Sequence, residues 1–142
     1  MKLLLLSLFL WLPACASSSG NDASKVDSMR IQYLEVVTTD VDAVCAVYAA
    51  ANGLQFGECD ARLGNARTAT LPDGSMVGVR APMHDGEKPV VRPYWLVEDI
   101  EAAVKAAVAA GGELAMPTTL IPGLGKFAIY FEGGTQQGLW QL

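Results

Sequence analysis

Asp40-Val41-Asp42-Ala43 recurs 59 residues downstream as Asp99-Ile100-Glu101-Ala102. Behind each copy, apolar residues return at helical spacing: Val41, Val44, Cys45 and Tyr48 in the first, Ile100, Ala103, Val104 and Ala107 in the second. Both helices open on an Asp, whose carboxylate accepts a hydrogen bond from an orphaned first-turn N–H. Both carry an acid in the first turn, where the helix dipole favours it. Both stop at glycine, Asn52-Gly53 and Gly111-Gly112. Asp73-Gly74 and Glu132-Gly133 fall at the same spacing, each after a strand-like run. Three coincidences at one spacing point to an internal repeat.

Working outward, each copy reads strand, helix, then three strands, which predicts an α+β fold of paired βαβββ modules over residues 29–81 and 91–142. In the first module 31–38 is a strand, 40–52 the helix and 54–59 a strand. Residues 65–71 and 75–81 form a hairpin across Pro72-Asp73-Gly74, a turn with φ > 0 supplied by Gly. In the second, 92–97 is a strand, 99–110 a helix, and 113–117, 125–131 and 136–141 are strands. Residues 82–90 connect two modules of one domain.

The chain has 142 residues, 51% hydrophobic and 18% charged, too apolar for disorder and too short for two ordinary domains. Ten Lys and Arg against fifteen Asp and Glu give a net charge of −5, with no stretch that concentrates the basic residues. A nucleic-acid partner is therefore not expected. One His and three Cys exclude a zinc finger or a His-rich metal cluster. Two readings of Cys45 and Cys59 stand: a disulfide in an oxidising compartment, or Cys45 as a small core residue on its helix's apolar face. Gly123-Leu124-Gly125-Lys126 lacks phosphate-loop spacing and reads as a loop before a strand.

Met1-Lys2 precedes an apolar run over 3–12, broken only by Ser7, which is too short for a membrane span and suits a secretory signal. The following Leu12-Pro13-Ala14-Cys15 resembles the lipobox of bacterial lipoproteins. That resemblance implies cleavage before Cys15, lipidation of its sulfur and acylation of its amine, with residues 1–14 the signal peptide. Small and polar residues fill 15–28, a flexible tether. Ala16 rather than Asp after the Cys implies, by the same resemblance, the outer membrane facing the periplasm. The competing reading is an ordinary secretory signal cut after Ala14 or Ala16.

Leu34-Glu35-Val36 running into Asp40-Val41-Asp42, Gly53-Leu54-Gln55-Phe56, Val97-Glu98-Asp99-Ile100-Glu101-Ala102 and Gly138-Leu139-Trp140-Gln141 resemble the vicinal oxygen chelate superfamily. It holds glyoxalase I, bleomycin-resistance proteins and extradiol dioxygenases. The resemblance implies two modules side by side around a cup, and in the catalytic members a metal held by His, Gln or Glu from the first and last strand of each module. The corresponding positions here are Tyr33, Val79, Arg92 and Gly138. Val79 and Gly138 offer no side-chain donor and Arg92 repels a cation, so no metal and no other cofactor is expected. His84, alone in the connector, is read as solvated.

Strand alternation places Tyr33, Glu35 and Val37 on the cup face, with Leu34 and Val36 towards the helix. The second module adds Arg92, Tyr94 and Leu96, and the closing strands Val77, Val79, Ala81, then Gln136, Gly138 and Trp140. The expected ligand-binding set is Tyr33, Glu35, Arg92, Tyr94, Gln136 and Trp140, an apolar, aromatic pocket with a few orienting polar groups. Against it stands a cup filled by a structural Glu35–Arg92 pair. A third reading is metal-free acid–base chemistry, with Glu35 as base and Arg92 stabilising an oxyanion. The sequence-level function is thus a lipid-anchored periplasmic glyoxalase-like protein that binds a small apolar or aromatic molecule. The alternatives are a divalent-metal-dependent lyase or dioxygenase, and a non-catalytic envelope interaction protein. By analogy with the superfamily, a homodimer is expected.

Overall fold

The computed structural model describes Met29–Leu142. The signal peptide, the tether and Cys15 lie outside the described residues. Among those described, no helix is long and apolar enough to cross a membrane.

Strand β1 (Ile31–Val37) leads into helix α1 (Val41–Asn52), then β2 (Cys59–Asp60), a 3-10 turn (Ala61–Leu63), β3 (Ala66–Thr70) and β4 (Met76–Arg80). The second module runs β5 (Val90–Leu96), α2 (Ile100–Ala109), β6 (Glu113–Ile121), β7 (Gly125–Glu132) and β8 (Thr135–Gln141). All eight strands join one sheet in the order β2-β3-β4-β1-β5-β8-β7-β6. Each module is therefore a copy of the other about the central antiparallel β1–β5 pair, where Leu34 faces Pro93, Glu35 faces Arg92 and Tyr33 faces Tyr94. The two modules meet within one chain through this pair.

The caps behave as the repeat predicts. Asp40 accepts from the Ala43 N–H at 3.1 Å and Asp99 from the Ala102 N–H at 3.0 Å. Gly53 ends α1 in the left-handed region at φ 68°. Helix α1 packs Val41, Val44, Cys45 and Tyr48 on Val36, Val77 and Val79. Helix α2 packs Ile100, Ala103 and Val104 on Ala128 and Leu139. Both helices thus cover one face of the sheet and leave the other for a site. Cys45 and Cys59 are free thiols, the first buried and the second exposed, so the disulfide reading is set aside.

Three expectations need correction. Residues 54–59 form a ladder only at Cys59–Asp60. Leu54 and Phe56 do alternate into the α1 core, but of this stretch only the Gly57 N–H reaches a neighbouring carbonyl, on Thr68. Strand β6 does not stop at Pro117 but continues to Ile121. It is an edge strand with register shifts, and a proline's missing N–H is tolerated there.

The third correction bears on the site. Val77 and Val79 face α1, not the cup; Met76, Gly78 and Arg80 take the cup face of β4. The first strands keep the 59-residue spacing, but the last strands do not. Glu35 pairs with Gly78 and its counterpart Tyr94 with Gly138, so β4 and β8 are 60 residues apart. The nine-residue β6 lengthens the second module, and its hairpin then turns tighter: Thr70 pairs with Met76, but Glu132 pairs with Thr135. Asp73-Gly74 and Glu132-Gly133 are therefore not equivalent. The residue matching Gly138 is Gly78, not Val79.

Candidate functional site

The helix-free face of the sheet lines a cleft of about 1090 Å³. Tyr33, Glu35, Arg92, Tyr94, Gln136 and Trp140, named from the sequence, all line it. Its apolar wall comes from β6 and β7, through Met116, Ile129 and Phe131. Tyr33, Tyr94 and Trp140 pack as one aromatic cluster, with ring centroids 5.5 to 6.0 Å apart, against Leu63 and Ile121. That cluster fills one end of the cup and floors the open remainder.

The polar part of the floor is a closed network. Glu35, only 5% exposed, accepts from Arg80 Nε at 2.6 Å on one oxygen. Its other oxygen accepts from Arg92 Nη1 and, at 3.0 Å, from the Tyr94 hydroxyl. Arg92 turns its remaining edge to Gln136, whose Oε1 accepts from Nε at 2.8 Å and from Nη2. Arg80 donates from both Nη atoms to Glu87, at 2.8 and 2.6 Å, and Glu87 also accepts from the Met83 N–H. Two arginines and two glutamates thus neutralise one another, which buried charges require.

The titration directions follow from this packing. The Arg80 hydrogen bonds hold the Glu87 carboxyl down at about 2, against some opposition from burial. Burial alone would pull the Arg80 guanidinium down, but the bonds and charges of Glu87 and Glu35 more than reverse it and raise its pKa. Burial, and then the Glu35 charge, push the Tyr33 and Tyr94 hydroxyls far above the ordinary phenol range.

Sequence reasoning missed Arg80 and Glu87. Arg80 was lost with the one-residue slip of β4, and Glu87 sits in the connector, where alternation carries no signal. His84 is exposed at the cleft mouth.

The superfamily's metal finds no fit in these residues. Among the described residues no cluster of three or more His, Cys, Asp or Glu could hold an ion. At the corrected positions, a Cβ on Gly78 would run into the Tyr33 hydroxyl, and one on Gly138 into the Tyr94 ring. Tyrosine side chains occupy the space that ligands from the last strands would need, and Arg92 adds a positive charge beside it.

This architecture, paired βαβββ modules around one cleft, is that of the glyoxalase and bleomycin-resistance fold. A hypothetical protein of Bacillus halodurans C-125 matches it with a TM-score of 0.63 at 12% identity, over 81% of this chain and 95% of that one. The methylmalonyl-CoA epimerase of Mycobacterium tuberculosis matches with a TM-score of 0.61 at 15% identity, over 78% and 86%. A Streptomyces coelicolor methylmalonyl-CoA epimerase variant in complex with 2-nitronate-propionyl-CoA gives 0.56 at 15%, over 80% and 96%. No family model matches the chain, and no curated protein does. At such identities the likeness shows the fold alone.

Proposed function

We propose that this protein binds a small apolar or aromatic molecule in its cleft without a metal ion, and that lipid on Cys15 holds it at the bacterial outer membrane, facing the periplasm. The observation that carries this reading is the state of Glu35. It is the carboxylate at the centre of the cup, and both of its oxygens are held by donors. A carboxylate acting as general base must be free to take a proton, and Glu87 is equally engaged. An open cleft of about 1090 Å³ with apolar walls and a rigid polar floor fits capture instead.

Elemental analysis of the purified full chain is expected to find metal far below one ion per chain. Thermal-shift screening is expected to find aromatic compounds that raise the melting temperature, since a ligand of the native state stabilises it by mass action. Near-stoichiometric metal would restore the lyase or dioxygenase reading, and a screen without a hit would favour a purely structural cup. Cys15→Ser should move the protein from the membrane fraction to the soluble one, because the acyl chains supply the anchor. Retention in the membrane would remove that part of the proposal.

A further inference from the structure

The polar groups of the cleft are not evenly used. Its carboxylates, Glu35 and Glu87, have all their oxygens engaged by Arg80, Arg92, Tyr94 and Met83. Donors, by contrast, are left over. Arg92 donates twice to Gln136, and because a guanidinium offers no acceptor, the amide must present its oxygen to it. The two N–H groups of Gln136 Nε2 are thereby turned away from Arg92, and among the described residues they meet no acceptor. The Tyr33 hydroxyl and Trp140 Nε1 are buried without a hydrogen-bond partner, on residues that line the same cleft. Buried polar groups are nearly always satisfied; of these two the indole N–H can only donate, whereas the phenol can donate or accept.

Charge points the same way. Arg80 and Arg92 are balanced by Glu35 and Glu87, and Arg62 by Asp60 at 2.7 Å. Lys88, at the mouth, forms no ion pair among the described residues. A net-acidic chain of charge −5 therefore keeps one unbalanced cation at its cleft.

We propose that the cleft's ligand is an apolar molecule carrying an oxyanion of the carboxylate class. Its apolar body lies along Met116, Ile129 and Phe131, and its oxygen accepts from Gln136 Nε2 within the field of Lys88. This inference rests on the cleft being a small-molecule site, and the experiment separates the two claims. Three probes share one apolar body: 1-naphthoate, 1-naphthalenemethanol and 1-naphthylmethylamine. Each is titrated into the full chain by calorimetry. The acid is expected to bind about tenfold more tightly than the alcohol, as a charge-assisted hydrogen bond allows, with the amine weakest.

Gln136→Glu keeps the acceptor that Arg92 needs while replacing the free donors with negative charge. It is expected to abolish the preference for the acid over the alcohol. Lys88→Ala, on the exposed mouth, is expected to weaken the acid alone and to flatten its salt dependence. An acid that binds no better than the alcohol or the amine, or a preference unchanged in both variants, overturns the oxyanion inference and leaves the small-molecule site standing. Binding of none of the three, up to about 1 mM, overturns the site itself and the inference with it.

Discussion

The two modules share a backbone plan and almost nothing on the face they turn to the cleft. Both helices start at a capping Asp, and both last strands place a glycine beneath a tyrosine, Gly78 under Tyr33 and Gly138 under Tyr94. Yet where the first module has Tyr33, Glu35 and Arg80, the second has Arg92, Tyr94 and Trp140 at the matching positions. The β1–β5 pairing then sets unlike against unlike, Glu35 against Arg92. Repetition specifies the scaffold, and its failure specifies the site. The first module brings the acid and a second arginine, and the second brings the stacking surface and the amide.

Positions 35 and 94 test this division most severely, because they are equivalent in the scaffold and opposite in charge. Glu35→Gln leaves Arg80 and Arg92 without their shared buried partner and is expected to destabilise by about 3–5 kcal/mol. Tyr94→Phe removes one hydrogen bond from the same carboxylate and should cost about 1 kcal/mol. Urea denaturation of both variants decides it. Equal losses would show that the network tolerates a missing charge, and that the aromatic cluster alone holds the floor.

Next in size is a pH effect at the Arg80–Glu87 pair, which joins the first module to the connector. The folded Glu87 pKa of about 2 lies below its ordinary 4.5, so its contribution to stability is present above that ordinary value and is lost as pH falls towards 2. The loss should be roughly 2–3 kcal/mol and should vanish in Glu87→Gln, which is already less stable at neutral pH. The second module has Trp140 where the first has Arg80, so nothing there compensates. An acid slope that persists in Glu87→Gln would place the titrating group elsewhere.

The glycines sharpen the comparison further. At Gly138 a methyl group meets the base of the Tyr94 ring, which Trp140 and Phe127 hold in place. At Gly78 it meets the hydroxyl end of Tyr33, the part of the side chain farthest from its backbone. Overpacking of this kind costs about 1–3 kcal/mol. Gly138→Ala should fall at the upper end and Gly78→Ala at the lower, with melting temperatures in that order. The reverse order would mean that the Tyr33 hydroxyl is the more rigidly placed of the two.

The same contrast explains what the sequence discloses. Caps, helix faces and the alternation of β1 and β5 are local signals, and they bring Tyr33, Glu35, Arg92 and Tyr94 to one face without any knowledge of pairing. Gln136 and Trp140 follow from alternation along β8. Arg80 is invisible to a fixed repeat spacing, because the long β6 and the tighter β7–β8 turn shift the last strands by one residue. A shift of one residue turns a strand over, exchanging Arg80 for Val79 at the cleft. Glu87 acts from an irregular connector, so its partner had to be found before it could be. Pro117 hid half of β6 for a simpler reason: proline reads as a strand end unless the strand is known to lie at an edge.

The smallest predicted difference lies in the scaffold itself, where the modules are most alike. Asp40→Ala and Asp99→Ala each remove one carboxylate from a first-turn N–H and should cost on the order of 1 kcal/mol. They should not be equal. In α2 the first turn has a second side-chain acceptor: the Ile100 N–H donates to the Gln141 side chain at 3.1 Å, and that bond survives the loss of Asp99. In α1, among the described residues, no first-turn N–H besides that of Ala43 has a side-chain acceptor; the Thr38 hydroxyl accepts from the Asp40 N–H, outside the helix. Asp40→Ala therefore leaves the first turn less satisfied than Asp99→Ala, and its urea midpoint should be the lower. Matching midpoints would mean that the Gln141 contact adds nothing to the cap, and that the two helices are equivalent in energy as well as in sequence.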